Sequence, residues 1–368
     1  MFSNSINGEI SLSASTDLVL NQRDFEILSA VHQHRFLTTD LIWRLVRDGG
    51  PGSLDYGVGR DGKKRPTSYG FGLKALYKRL ALLHKSGFLA RHYVTDQPYG
   101  ASHGSPRAVY GLGSKAVSPV ADLIGAPPNE VRRIVEANEV KSPYLRHALE
   151  LSSFQIILTL ACRESHGRVS LMFWEQGIHL RDSVVGESQE GSEERFPVYP
   201  DAFFGLSVHG KAPAHYFLEI DRGTMPIVAS SARSDLRKKF IGYKLYSDTH
   251  RHSERYFRRV DAGGSVLGLV VNDDQRGDRV FDPSLVPIKG FRALFVIPGS
   301  FKEDGSPDGR LANVLSTVPT FGKKYETSSL FWFASYDGYS IEKPSSIFDR
   351  IWAVPNPTKE RQSLIEGC

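Results

Sequence analysis

The stretch that decides the fold is HYFLEIDRGT, residues 215–224. Its apolar run, 216–220, contains a single acid and predicts a buried β-strand. Glu219 and Asp221 are two residues apart, so on a strand both carboxylates point to the same face. Like charges repel, and burial would desolvate them. The pattern therefore indicates that the two acids share a task where the strand ends.

The residues before this strand predict a hairpin. FPVYPDAFFGLSVHG, residues 196–210, is typical of a second strand and contains Pro200-Asp201. If the two strands fold symmetrically about Gly210, paired residue numbers sum to 420, which sets Asp201 opposite Glu219. A bulge would shift this register by one residue. With the register kept, the carboxylates of Asp201, Glu219 and Asp221 converge, a set that suits a hard divalent cation.

The elements around the hairpin predict a mixed sheet with helices on its faces, an α+β or α/β domain over residues 145–355. The segment 181–195 is charged and is predicted to be a loop. Helices are predicted over 144–165 and 231–248, and further strands over 169–178, 265–271, 292–297 and 330–335.

Residues 21–115 predict a separate, N-terminal domain. Helical patterns cover 21–35, 36–46 and 71–87, a glycine-dense loop is expected over 48–70, and strand-like runs cover 88–95 and 106–113. In the third helix a leucine stripe begins at Leu73 and ends at Leu83, and Gly87 terminates the helix. Three helices followed by a β-hairpin predict a winged helix-turn-helix domain.

The third helix of this domain lies in a strongly basic segment. Between Arg60 and Arg91 there are nine lysines and arginines and one acid, a local charge of +8 in a chain of net charge +5. Such a concentration is typical of a nucleic-acid interface, although a solvated helix face or a protein-contact surface has the same composition. The candidate DNA-binding residues are Lys74, Tyr77, Lys78, Arg79 and Lys85 on the helix, with Arg91 and Arg107 on the hairpin.

Composition limits the remaining classes of protein. The 368 residues, 40% of them hydrophobic, suffice for two folded domains, joined by a linker with short helices over 116–144 and flanked by tails, 1–20 and 356–368. Two cysteines make no disulfide framework and favour a reducing cytoplasm. The sequence shows no signal peptide and no apolar run long enough for a membrane span.

Pro-Asp, a hydrophobic hairpin and then Glu-x-acid resemble the core of the PD-(D/E)XK nucleases, over about residues 142–300. Together with an N-terminal winged helix, the arrangement resembles the replication-relaxation family. That resemblance implies a bacterial accessory protein of plasmid or mobile-element replication and mobilisation. Its partners would be DNA and a relaxase or replication protein, as in a relaxosome, and it would have no membrane partner.

The nuclease resemblance also implies roles for individual residues. Asp201 and Glu219 would bind Mg²⁺ or Mn²⁺, with Glu150 as an additional acid. Asp221 stands where the motif usually has lysine, so the lysine would come from the following helix, which carries Lys238, Lys239 and Lys244. Lys239 is favoured because Tyr243 follows it at i+4, on the same face.

Two alternatives to a nuclease stay open. The first is the same architecture with an inactive site, serving as a scaffold in a nucleoprotein complex. The second is a transcriptional repressor that forms a homodimer through its second domain. His147 and Glu150 also have the spacing of metal ligands on a helix, but the sequence offers no second half of a zinc site.

Overall fold

The computed structural model describes residues 18–47, 56–58, 64–66, 73–94, 107–138, 142–187, 191–229, 235–272, 282–318, 330–355 and 360–366. The chain divides into two compact units, Met1–Arg146 and His147–Cys368. Both units combine helices with strands, which confirms an α+β protein. Most of the tail predicted over 1–20 lies outside the described residues, as do 356–359 and 367–368 of the C-terminal tail.

The first unit contains five described helices and five described strands. They are α1 (Gln22–His34), β1 (Leu37–Thr38), α2 (Thr39–Arg47), β2 (Tyr56–Val58), β3 (Lys64–Pro66), α3 (Leu73–Lys85), β4 (Leu89–Val94), β5 (Arg107–Leu112), α4 (Val117–Ile124) and α5 (Pro128–Glu136). Strands β4 and β5 pair antiparallel, and β1 pairs antiparallel with the other side of β5. The three strands form a sheet in the order β1-β5-β4.

Local sequence explains how α1 begins. Asn21 is the N-cap and its side chain accepts a hydrogen bond from the backbone N–H of Asp24, at 3.1 Å. The Asp24 carboxylate accepts one in return from the Asn21 backbone, at 2.8 Å, which completes a capping box. Asn21 and Asp24 therefore cap the start of this helix together.

Two segments of the first unit differ from the sequence prediction. The glycine-dense stretch was expected to be a loop, but β2 and β3 within it pair as an antiparallel ribbon. The predicted linker contains two short helices, α4 and α5, as expected, but both lie within the first compact unit. Val131 of α5 is fully buried, and the Arg35 side chain donates to Asn138 Oδ1 at 3.2 Å. The apolar faces of these helices must be covered by other residues, so the helices pack within the first unit. A short hydrophilic tether would have no such requirement.

The second unit contains four described helices and ten described strands. They are α6 (Ser142–Glu164, which begins just before the unit boundary), β6 (Val169–Glu175), β7 (Asp182–Glu187), β8 (Glu193–Val198), β9 (Ala202–Val208), β10 (Ala214–Ile220), α7 (Leu236–Asp248), α8 (Arg251–Arg255), β11 (Tyr256–Val260), β12 (Val266–Val271), β13 (Leu285–Pro287), β14 (Arg292–Ile297), α9 (Gly309–Thr317) and β15 (Phe331–Ser335).

A five-stranded mixed sheet is the centre of this unit, with strand order β15-β14-β10-β9-β6. β10, β14 and β15 run parallel, whereas β9 is antiparallel to both of its neighbours, β10 and β6. All seven residues of β10 are buried, as expected for a central strand covered on both faces. A strand order with both parallel and antiparallel pairs confirms the mixed sheet that the sequence predicts.

Alternate residues of β10 contribute to two separate cores. Phe217 packs with residues of α7 and α9 on one face of the sheet, whereas Tyr216 and Leu218 pack with residues of α6 on the other. The two-residue period of the strand makes this division, since successive side chains point to opposite faces. By the same period Glu219 lies on the Phe217 face, which is covered by α7.

The charged segment before β9 is a hairpin and not the predicted loop. β7 and β8 pair over six residues each, and Val184 and Phe196 are buried where they face each other. Pro200 separates β8 from β9, so the single strand expected over 196–210 is two strands. Proline has no N–H to donate to a ladder, which favours a break at that position.

Candidate functional site

The register of β9 and β10 brings the two predicted acids together. The residue numbers of each pair in this ladder sum to 420. The pairs run from Ala214 opposite Leu206 to Leu218 opposite Ala202, with no bulge between them. One residue beyond the ladder, the Asp201 backbone N–H donates to the Leu218 carbonyl at 2.9 Å. The symmetric hairpin predicted from the sequence is therefore confirmed, and Asp201 follows in register opposite Glu219.

Asp201 is held at both carboxylate oxygens. Oδ2 accepts from the Ile220 backbone N–H at 2.7 Å, and Oδ1 lies 3.0 Å from His147 Nε2 on α6. Burial by itself would raise the pKa of Asp201, but the hydrogen bond and charge of His147, together with Lys239, hold that pKa below its usual value. Burial likewise works against the imidazolium, yet Asp201 brings the net pKa of His147 above its ordinary value. The two groups form an ion pair.

Glu219 is 2% exposed and also has both carboxylate oxygens occupied. Tyr243 donates its hydroxyl to Oε1 at 2.7 Å, and Lys239 Nζ donates to Oε2 at 2.5 Å. Burial raises the pKa of Glu219 to about 7, the negative charge of Asp201 adds to that shift, and Lys239 opposes it. Glu219 therefore takes up a proton more readily than an exposed glutamate.

Lys239 and Tyr243 both reach Glu219 because they lie one turn apart on α7. Burial lowers the pKa of the Lys239 ammonium, but the carboxylates of Glu219 and Asp201 outweigh burial and raise it overall. Burial and the Glu219 charge both raise the pKa of the Tyr243 phenol, so it remains a donor. Of the three lysines considered on this helix, Lys239 is the one that contacts Glu219. Lys238 pairs with Glu194 and Lys244 with Asp248.

The Asp221 carboxylate has partners of its own. Its Oδ2 accepts from Arg310 Nε on α9 at 2.5 Å, and its Oδ1 accepts from the Gly223 backbone at 3.0 Å. The Arg310 guanidinium also donates to the Met225 carbonyl at 2.5 Å. Asp221 therefore fixes the turn after β10 onto α9, and the expected three-carboxylate cluster is not formed.

Glu150 lies at the edge of the site. Its Oε2 is 3.8 Å from Arg222 Nε and 3.4 Å from the Tyr336 hydroxyl. The same hydroxyl donates to the Asp221 carbonyl at 3.1 Å. Glu150 thus helps to hold the residues that follow β10, and these contacts give it structural partners.

In this arrangement the protein's own donors compete with a Mg²⁺ ion for the carboxylate oxygens. Proteins bind Mg²⁺ through one or two carboxylates, with water or phosphate oxygens as the other ligands. Here His147, the Ile220 N–H, Tyr243 and Lys239 occupy all four oxygens of Asp201 and Glu219. Across the ranges that the structure describes, no group of three or more His, Cys, Asp or Glu side chains has a metal-binding arrangement. The Mg²⁺ or Mn²⁺ site stays a prediction from the resemblance.

Two partners in the site could not be predicted from the sequence. His147 was noted only for its spacing to Glu150, and its partner is Asp201, 54 residues away. Arg310 is 89 residues from Asp221 and lies on a helix that no motif marks. A buried acid at a strand end does predict a basic partner, but it gives no position for that partner.

The predicted DNA-contact residues of the first unit divide into two groups. Lys74, Lys78 and Lys85 are exposed on the side of α3 opposite the buried Leu76, Leu80 and Leu83, and Tyr77, 48% exposed, lies at its flank. Arg79 is different, because its guanidinium forms two hydrogen bonds with the buried Asp24 carboxylate of α1. Arg79 therefore joins α3 to α1, and its contact with DNA stays a prediction.

The two arginines predicted on the hairpin are both exposed. Arg91 on β4 lies over the Tyr93 ring, with its guanidinium carbon 5.5 Å from the ring centroid. Arg107 opens β5 and pairs in register with Val94. The tip between them, 95–106, lies outside the described residues, so the contribution of the tip to a wing stays a prediction.

The fold and the site define a two-unit α+β protein. One unit has a cationic helix surface, and the other has a buried cluster of carboxylates, a lysine and a tyrosine. A family model described as replication-relaxation matches residues 28–259, more than half of the chain. The chain therefore belongs to the replication-relaxation family, and membership indicates a role in replication or mobilisation. No curated protein and no solved structure gives a significant match. None of the helices described here is long and apolar enough to cross a membrane.

Proposed function

We propose that this protein is a DNA-binding accessory protein of replication or mobilisation, whose first unit binds duplex DNA and whose second unit is a non-cleaving scaffold on a nuclease-like fold. The observation that carries the proposal is the surface of α3. Leu76, Leu80 and Leu83 are buried, while Lys74, Lys78 and Lys85 project on the opposite side and the exposed Tyr77 lies at its flank. A relaxase or replication protein would be the protein partner.

The order of elements supports the use of α3 as a recognition helix. Apart from the β2–β3 ribbon, the described elements run α1, β1, α2, α3, β4 and β5, with β1 against β5. This is the order of a winged helix, in which the third helix enters the major groove and the hairpin lies along the backbone. Lysines on such a helix contact phosphates, and an exposed tyrosine adds a hydroxyl donor.

The test is a salt titration of duplex DNA binding by full-length protein. The double variant Lys74→Ala/Lys78→Ala should bind more weakly. The slope of log affinity against log salt should fall by about 0.9 for each phosphate that the helix no longer neutralises, or about 1.8 for two. A matched control is Arg132→Ala/Arg133→Ala, which removes two exposed charges from α5 in the same unit. Equal slopes for wild type and the α3 variant would exclude this helix from the interface.

The second unit is assigned a scaffold role because its polar cluster is already complete. Both oxygens of Asp201 and both of Glu219 accept hydrogen bonds from the protein. Buried charges that are paired and hydrogen-bonded stabilise one arrangement of their surroundings. Glu219 with Lys239 and Tyr243 fixes α7 on the sheet, and Asp221 with Arg310 fixes α9.

A second candidate function, metal-dependent DNA cleavage, is favoured by one observation. Lys239 brings its ammonium to Glu219, which is the neighbourhood where the nuclease motif requires a lysine. Incubation of supercoiled and single-stranded DNA with Mg²⁺ or Mn²⁺, against a chelator, distinguishes the two functions. The scaffold role predicts intact DNA in every reaction. Metal-dependent cleavage by wild type that is absent from Asp201→Asn would establish the nuclease instead.

A further inference from the structure

A second polar site lies at the opposite end of the central strands. His215 is four residues before Glu219 on β10, a separation of about 13 Å along an extended strand. Its ring lines an open concavity of about 680 Å³ in the second unit. The walls of that concavity include Ser247, Arg258, Lys289, Phe291 and Arg292. None of these residues belongs to the cluster around Glu219.

The charged residues that line this concavity are all positive among those the structure describes. Arg258 on β11, Arg292 at the start of β14 and Lys289 between β13 and β14 all line it. No described residue on its wall is acidic. A guanidinium that is partly buried normally has a carboxylate partner, because desolvation of an unpaired charge is costly. Lys289 is exposed and Arg292 lies over the Trp332 ring, so Arg258 is the cation whose lack of an acid among the described residues points to a ligand.

Arg258 is the cation that most clearly lacks an acidic partner among the described residues. It is half-buried, and burial lowers the pKa of its guanidinium with no carboxylate to oppose that effect. Its Nε is buried and donates no hydrogen bond to the described residues. A guanidinium presents planar, paired donors that match the oxygens of a phosphate. An oxyanion in the concavity would match the terminal donors of this guanidinium.

His215 supplies the second, independent observation. The residue is 7% exposed, and its Nε2 has no hydrogen-bond partner among the described residues. Burial, and then the charges of Arg258 and His252, lower the pKa of His215 to about 3, against a smaller opposing effect from a hydrogen bond with the Gly290 backbone. The imidazole is therefore neutral at physiological pH, with one ring nitrogen left without a partner at the wall of a cationic concavity.

We propose that this concavity is a phosphate-binding site, in which Arg258, Lys289 and Arg292 hold the oxygens of a phosphate group beside the neutral imidazole of His215. The shared chemistry is a phosphate carried by a nucleotide, either as a terminal monoester or as an internal diester of a nucleic acid. The site is separate from the α3 surface and does not depend on the proposed role of that helix.

Calorimetric titration of the full-length protein with inorganic phosphate tests the site. Wild type should bind, and Arg258→Gln should weaken binding by about tenfold, as expected for the loss of a hydrogen bond to a charged group. Lys289→Gln changes an exposed residue and should also weaken binding without affecting folding. Arg259→Gln removes the same charge at the neighbouring position of β11, outside the concavity, and is the matched control.

A nitrogen-15 spectrum adds a measurement that a purely structural role would leave unchanged. Phosphate should shift the His215 Nε2 resonance in wild type and leave it unshifted in Arg258→Gln. Thymidine 5′-monophosphate and the dinucleotide TpT, which has only an internal phosphate, identify whether the natural ligand is a monoester or a diester. Absence of phosphate binding by wild type, or equal affinities for Arg258→Gln and Arg259→Gln, would overturn the proposal.

Discussion

Replacement of Glu219 by glutamine should change how the stability of the second unit depends on pH. The folded pKa of this group is about 7, against an ordinary value of 4.5, so the folded state binds a proton more tightly than the unfolded chain. The stability that Glu219 contributes is then complete below about pH 4.5 and is lost as pH rises through 7. A difference of about 2.5 between the folded and unfolded pKa corresponds to about 3 kcal/mol.

Urea unfolding of wild type and Glu219→Gln at several pH values between 4.5 and 8 measures this contribution. Glutamine approximates the protonated acid, and its amide can donate to the Tyr243 oxygen after the hydroxyl turns. The stability of the variant relative to wild type should therefore rise by about 3 kcal/mol from pH 4.5 to pH 8. His147, whose pKa is also raised, is present in both proteins, so its contribution largely cancels in the comparison.

A matched control is Glu194→Gln, which removes a carboxylate from another lysine of the same helix. Glu194 pairs with Lys238, but its side chain is 33% exposed, so its removal should change stability by less than about 1 kcal/mol at any pH. Parallel pH profiles for wild type and Glu219→Gln would refute the reasoning. They would mean that Lys239 keeps Glu219 ionised over the whole range.

Two further predictions concern Arg79 and the metal. Arg79→Met should destabilise the first unit by about 3 kcal/mol in urea unfolding, because the Asp24 carboxylate stays buried without its cation, whereas Lys78→Met on the exposed face should cost far less. Similar costs for both variants would show that the Arg79 ion pair contributes little. Mg²⁺ or Mn²⁺ titrated into wild type should give no binding heat in calorimetry, because every oxygen of Asp201 and Glu219 is occupied. A stoichiometric heat that disappears in Asp201→Asn would contradict this expectation.

The central hairpin could be predicted from the sequence because its information is local. The apolar run of β10, the turn around Gly210 and the position of Asp201 lie within about 20 residues, and hairpin symmetry then fixes the register. The choice of Lys239 was also local, since helix periodicity places it beside Tyr243. Both inferences needed only distances along the chain.

The parts that could not be predicted depend on the surroundings of each segment. The β7–β8 hairpin is rich in charge, yet it forms because Val184 and Phe196 find a common core beneath it. The partner of Asp221 comes from α9, and the partner of Asp201 comes from α6. A sequence shows that a buried acid needs a cation, but packing decides which cation arrives.

The hydrogen bond from the Ile220 backbone to Asp201 Oδ2 has a consequence for how relatives of this chain are compared. Asp201 closes the open end of the β9–β10 ladder, so selection for a well-formed hairpin favours aspartate at this position whether or not a bond is ever cut. Its retention across a lineage would therefore report on architecture. Exchanges at His147 and Lys239 are more informative, because those side chains decide whether the oxygens of Asp201 and Glu219 are occupied or free. Relatives that lack both side chains would be the ones to test for a gain of cation binding.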